Sequence, residues 1–220
     1  ILILAIIFSV KSYSQDPAFT QSFMVPESIN PSFSGFYETT KAGLLYKNQQ
    51  WSGFDFNLNS QYIYFDDWYP DLNSGVGISL MNHQETFTNY SLKQLNLSWA
   101  YKVQINYEWD FRPSVTFGFA TKDFGFDNLL FEDQINIFQN IINSNTFDPI
   151  VLGENARYVD IGASFLFNND NHWIGITLRH LNRPNVSMVS QGDIPLDIFI
   201  SVHASLELPI LQYNSDSLSL

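Results

Sequence analysis

Beyond residue 40 apolar and polar residues alternate, the period-2 pattern that sends successive side chains to opposite faces of a strand. Between residues 95 and 107 the odd positions are Leu95, Leu97, Trp99, Tyr101, Val103, Ile105 and Tyr107, while the even ones are Asn96, Ser98, Ala100, Lys102, Gln104 and Asn106. Residues 196–208 repeat the pattern, with Leu196, Ile198, Ile200, Val202, Ala204, Leu206 and Leu208 opposed by Asp197, Phe199, Ser201, His203, Ser205 and Glu207. Both runs are long enough for a tilted strand to cross a bilayer. Shorter runs fall at residues 54–58, 76–80, 115–119, 159–167 and 174–180, and about eight strands are expected in all.

The connections alternate in length. Short polar ones fall at residues 107–110 and 168–171, and long ones at 82–90, 122–156 and 181–195. Tight turns at one end and longer loops at the other predict an all-β fold, an antiparallel up-and-down transmembrane β-barrel whose N-terminus is periplasmic. A soluble sandwich or a lipocalin-like barrel has the same alternation with the apolar face as its core. The opposite face separates the two readings: it is Asn, Gln, Ser, Gly and Ala rather than Lys and Glu, as a lumen would be. Within the longest loop Phe131, Ile135, Phe138 and Ile142 are spaced by four, three and four, one face of a helix, with Asp127 as a candidate N-cap. One long helical extracellular loop is therefore expected, packed on the barrel rim.

Composition sharpens this picture. Charged residues are 15% of the 220-residue chain and aromatics 16%, too little charge for a surface that meets water throughout. A net charge of −12 with ten Lys and Arg excludes a nucleic-acid partner. The absence of Cys excludes disulfides, thiolate metal sites and cysteine nucleophiles. Residues 1–10 are apolar apart from Ser9, the length of a signal-peptide core and too short to span a bilayer as a helix. Ser12 and Ser14 suit a cleavage site before Gln15, and a basic region with an initiator Met is expected upstream. The chain thus divides into a signal peptide at 1–14, an N-terminal periplasmic or plug segment at 15–40, and an outer-membrane barrel at 41–220, incomplete at its C-terminal side.

The N-terminal segment reads Gln15-Asp16-Pro17-Ala18-Phe19-Thr20-Gln21, then Pro26, then Asn30-Pro31-Ser32-Phe33-Ser34-Gly35, and later Gln50-Trp51-Ser52-Gly53. These blocks closely resemble the PorP/SprF family, whose members open with QDPxFxQ, NPAxxG and QW-x-G elements; Ser32 stands where the family has Ala, a conservative departure. Asp160-Ile161-Gly162-Ala163, Trp173-Ile174-Gly175-Ile176 and His180-Leu181-Asn182-Arg183-Pro184 resemble the family's paired strands and the H-L-N-x-P turn after them. The resemblance runs from residue 15 to residue 208. Physically the motifs are punctuation: Pro26, Pro31 and Pro184 fix φ and stop regular structure, Gly35 permits a bend, and Trp51 suits a membrane interface. Together Gln15, Asp16, Pro17, Phe19, Gln21, Pro26, Asn30, Pro31, Gly35, Gln50, Trp51, Gly53, Asn182 and Pro184 are the candidates for a plug or docking role.

The resemblance implies an outer-membrane component of the type IX secretion apparatus of Bacteroidota, needed for protein secretion and, in gliding species, for placing surface adhesins. Its implied partners are other components of that apparatus, the sorting domains of secreted cargo, and outer-membrane lipid. Family barrels have more strands than are counted here, and a turn at residues 214–216 before Ser217-Leu218-Ser219-Leu220 reads as the start of another, so further C-terminal strands are expected.

No catalytic, cofactor or metal site is expected. His83, His172, His180 and His203 lack metal-ligand spacing, and Asp66-Asp67 with Asp71 and Asn73 lacks the EF-hand pattern and reads as a solvated acidic turn. There is no G-x-S-x-G, P-loop or G-x-G-x-x-G, and Gly75-Val76-Gly77 lies in a strand where small residues favour packing. Two other classes stay open: a porin-like transport barrel with a water-filled lumen, and an enzyme barrel using His203 with Ser201 or Ser205.

Overall fold

The computed structural model describes residues 24–50, 57–125, 130–137, 139, 141–147, 155–189 and 192–206. The strands are β1 (Lys41–Gln50), β2 (Asn57–Tyr69), β3 (Ser74–Glu85), β4 (Ser91–Tyr101), β5 (Val103–Gln104), β6 (Asp110–Asp123), β7 (Ile135–Asn136), β8 (Ile141–Ile142), β9 (Ala156–Asn168), β10 (His172–Arg179) and β11 (Phe199–Leu206). Nine of them form one antiparallel sheet, eight in the order β1-β2-β3-β4-β6-β9-β10-β11 and β5 beside β6, so almost every strand pairs with its neighbour in the chain. The up-and-down meander read from the sequence is therefore present. The sheet is open, with β1 and β11 as its edges among the described residues.

Register decides what each face presents. Ile63, Leu80, Leu95, Phe119 and Val159 lie side by side across β2, β3, β4, β6 and β9. The next outward row runs Phe65, Ile78, Leu97, Phe117 and Ile161. Most of these side chains are about half exposed, an apolar face that bulk water would not favour and hydrocarbon would. No helix among the described residues is long and apolar enough to cross a membrane; that says nothing of strands.

The other face carries the alternate residues. One of its rows runs Trp68, Gly75, Ala100, Ser114, Ser164, Thr177 and Ser201, and the adjacent one Asp66, Gly77, Ser98 and Thr116. The residues between the flanking aromatics and acids are nearly all small, which leaves a trough. In it lies the segment before β1, with single 3-10 turns at Pro26–Ser28 and Pro31–Phe33. Asn30 reaches His203 on β11 while the Gly35 amide binds Asp66 on β2. Six strand spacings separate β2 from β11, about 29 Å on a flat sheet, whereas five residues of chain span at most about 18 Å. The sheet must therefore curl around the segment, which makes the polar face concave and the apolar face convex.

Loop asymmetry holds for the two longest connections, although residues 86–90 are fewer than residues 102–109 at the other end. The connections at residues 70–73, 102–109 and 169–171 lie at one end, and those at 86–90, 124–155 and 180–198 at the other. The chain passes from the segment into β1 at the short-turn end.

Several expectations need correction. The apolar spacing at Phe131, Ile135, Phe138 and Ile142 does not make a helix: the described part is a 3-10 turn at Glu132–Gln134 followed by the β7–β8 hairpin. With Ile135, Ile141 and Ile142 half exposed or more, no apolar surface is packed against this face to select a helical period. Asp66 and Asp67 are not in a solvated turn; β2 continues through them to Tyr69, and Asp66 is 1% exposed. The long loop expected at 82–90 shrinks to residues 86–90, because β3 runs on to Glu85, whose carboxylate accepts from the Phe87 and Thr88 amides. The strand expected at 95–107 is split between β4 and β5. Opposite the break stand Arg112 and Pro113 of β6, and proline has no N–H to give the ladder. Pro26 and Pro31 do not forbid helix but begin 3-10 turns, since a fixed φ suits a first helical position. β10 ends at Arg179, before Pro184, because His180 takes a left-handed φ of 58°.

Candidate functional site

The motif residues expected to dock or plug converge on the concave face. Asn30 is fully buried; its Oδ1 accepts from the Ser32 amide (2.8 Å), and its Nδ2 donates to the Phe165 carbonyl (3.2 Å) and lies 3.0 Å from His203 Nε2. His203 thus holds the segment through Nε2. Thr177 Oγ1 donates to the Ile29 carbonyl (3.0 Å), and Arg179 to that of Ser28 (2.5 Å). The Ser32 hydroxyl lies 2.9 Å from Ser164 and 3.2 Å from Ser114, which are themselves 2.5 Å apart. The extra hydroxyl at position 32 is therefore matched by two serines on β6 and β9.

Arg112 fastens the next stretch. It is 1% exposed, donating from Nε to the Ser32 carbonyl (3.1 Å) and from Nη2 to the Ser34 carbonyl (2.9 Å), with Trp68 and Phe36 rings 5.3 and 5.5 Å from its guanidinium. Ser34 Oγ lies 2.7 Å from Ser98 Oγ, and the Gly35 amide donates to Asp66 Oδ2 (2.8 Å). Gly35 has φ 62°, a conformation that favours glycine, and a Cβ there would stand 2.7 Å from the Gly75 Cα. Gly75 in turn faces the Ser34 carbonyl. The Gly75-Val76-Gly77 packing read from the sequence is thus a close backbone crossing. Phe33 fills the remaining space, its ring 5.1 Å from Trp173 and from Phe36.

Deeper in the trough, beside Tyr62 and Tyr64, Glu27 sits in a 3-10 turn with its carboxyl pushed up by burial to about 7, a bond to its own backbone pulling the other way. Just past β10, buried His180 pairs with Asp160 on β9 (3.0 Å). Asn182 stands in for a continuing strand: its Nδ2 donates to the Val159 carbonyl (2.7 Å) and its Oδ1 accepts from the Ile161 amide (3.0 Å). Pro184 offers its carbonyl to the Leu196 amide (3.0 Å), folding the 180–198 connection on itself. Asn182→Ala is expected to leave both β9 groups without this partner, a loss of about 1.5 kcal/mol. Amide exchange at Ile161 should then run about tenfold faster, and an unchanged rate would show that the loop is held by other means.

Of the sequence-derived candidates, Pro26, Asn30, Pro31 and Gly35 are brought together, Asn182 and Pro184 lie apart at the long-loop end, and Gln50 closes β1 opposite Asn57. Gln15, Asp16, Pro17, Phe19, Gln21, Trp51 and Gly53 lie outside the described residues. Sequence reading missed Arg112, Asp66, Ser98, Ser114, Ser164 and Thr177. A charged residue at an inward position beside Pro113 was the one signal available for Arg112.

Comparison with known proteins gives one result: residues 11–214 match a family described as type IX secretion system membrane protein PorP/SprF. No curated protein and no solved structure matches the chain.

Proposed function

The chain belongs to the PorP/SprF family of type IX secretion system membrane proteins, and from that premise we propose that it is an outer-membrane barrel subunit whose own N-terminal segment fills the lumen. It works with other components of the secretion system. Its role is to anchor that machinery and its cargo to the outer membrane, gliding adhesins among the cargo, by binding rather than by catalysis. The observation that carries this reading is the division of the sheet: an apolar convex face suited to lipid, and a polar concave face occupied by residues 26–35. Burial of Asn30 in the trough, with half-buried Pro31 beside it, favours a plug over a surface for docking through these residues. The partner-facing surface is then the short-turn end, where half-exposed Tyr37 precedes β1.

The test is to tag the full-length protein in its native host, fractionate the envelope, identify co-purifying proteins and measure conductance in planar bilayers. Outer-membrane recovery with type IX components or cargo sorting domains, and no open conductance, is expected. Steady conductance with no such partner would replace this reading with a porin-like one. A soluble protein would overturn both.

A further inference from the structure

A cavity of about 80 Å³ lies between the seated segment and the concave face, lined by Glu27, Ser34, Tyr62, Asp66, Asn96 and Ser98 among others. Two carboxylate oxygens in its wall, Glu27 Oε2 and Asp66 Oδ1, are buried and accept no hydrogen bond. Asp66 is 1% exposed and spends only its other oxygen, on the Gly35 amide. Buried anionic oxygens without partners are costly, and such groups are ordinarily paired or bind a cation. The cations in and around it are committed elsewhere: Arg179, in its wall, to the Ser28 carbonyl, Arg112 to the Ser32 and Ser34 carbonyls, and Lys41 to the Tyr37 ring, 2.9 Å from its centroid.

We propose that this cavity binds a divalent cation of the calcium class between Asp66 and Glu27, joining the N-terminal segment to β2. The chemistry is that of a hard ion. The two carboxylates supply two negative charges, Ser34, Ser98 and Asn96 supply neutral oxygens, and the space admits the ion with one or two waters at about 30 Å³ each. Calcium tolerates such an irregular set, whereas magnesium demands an octahedron. Among the described residues no three His, Cys, Asp or Glu side chains converge on a metal, so water and hydroxyls complete the shell. That places the affinity in the weak class, about 0.1–1 mM.

The experiment uses the full chain in detergent micelles, terbium as luminescent probe sensitised by Tyr62, and calcium as competitor. Saturable luminescence, competed by calcium and weakened at least tenfold by Glu27→Gln and by Asp66→Asn, is the expected result. Asp71→Asn, on the 70–73 turn, should bind as the parent does. Glu27→Gln keeps the side chain's shape, so its effect is readable even where Asp66→Asn disturbs the Gly35 bond. Absence of saturable binding, or unchanged affinity in Glu27→Gln, overturns the proposal.

Discussion

Replacing Gly75 by valine is expected to unseat residues 31–35 while β3 stays paired. A Cβ at this position runs into the Ser34 carbonyl and the Gly35 Cα, which are backbone atoms fixed by Arg112 and Asp66 and unable to rotate aside. Overpacking of a close crossing costs about 3 kcal/mol, and valine itself is well suited to a strand, so the penalty falls on the segment. Amide exchange at residues 32–35 should quicken by about two orders of magnitude, with cleavage by added protease appearing near Gly35. Val76→Ala, on the convex face one residue away, serves as the control and should leave exchange unchanged. If Gly75→Val keeps the protection of the parent, the crossing seen here does not hold the segment.

Arg112→Met should lower stability by about 2–4 kcal/mol. The Ser32 and Ser34 carbonyls lose their donors, at about 1–3 kcal/mol each, and part of this is returned because no charge has to be buried. Arg112→Lys should recover less than half of the loss, since one ammonium cannot reproduce a planar fork that reaches two carbonyls, two residues apart, from Nε and Nη2. Urea unfolding in detergent measures both variants. Full rescue by lysine would mean that the charge alone matters and that the fork does not.

The period-2 pattern made the meander legible because a strand's two faces meet different media, and Leu97, Trp99 and Tyr101 differ from Asn96 and Ser98 for that reason alone. The end-to-end loop asymmetry was legible for a related reason: a chain that crosses back and forth returns alternately to each side. The trough was not. Gly75, Ala100, Ser114 and Ser164 are far apart in the chain and become a row only through register, which no local pattern encodes. Asp66 was misread because an acidic pair beside a Pro-Asp turn resembles solvated sequence, while its partner, the Gly35 amide, is 31 residues upstream. The loop spacing from Phe131 to Ile142 satisfied a helical template in a place with nothing to pack against. Asn30 and Pro31 were singled out by resemblance, and only the coordinates supply the physical reason, namely that Asn30 bonds to Phe165 and His203 from a fully buried position.

The seated segment also sets the order of events in folding. Its bonds to Asp66 and Ser98 close loops of 31 and 64 residues, whereas those to Phe165, Thr177 and His203 wait for partners 135, 148 and 173 residues downstream. Loop-closure entropy grows with separation, and contacts this remote in sequence form slowly. The N-terminal segment is thus the first part made and among the last to be fully satisfied. The trough can therefore close only once β9 to β11 are in place, whereas the turns that join neighbouring strands form from local contacts.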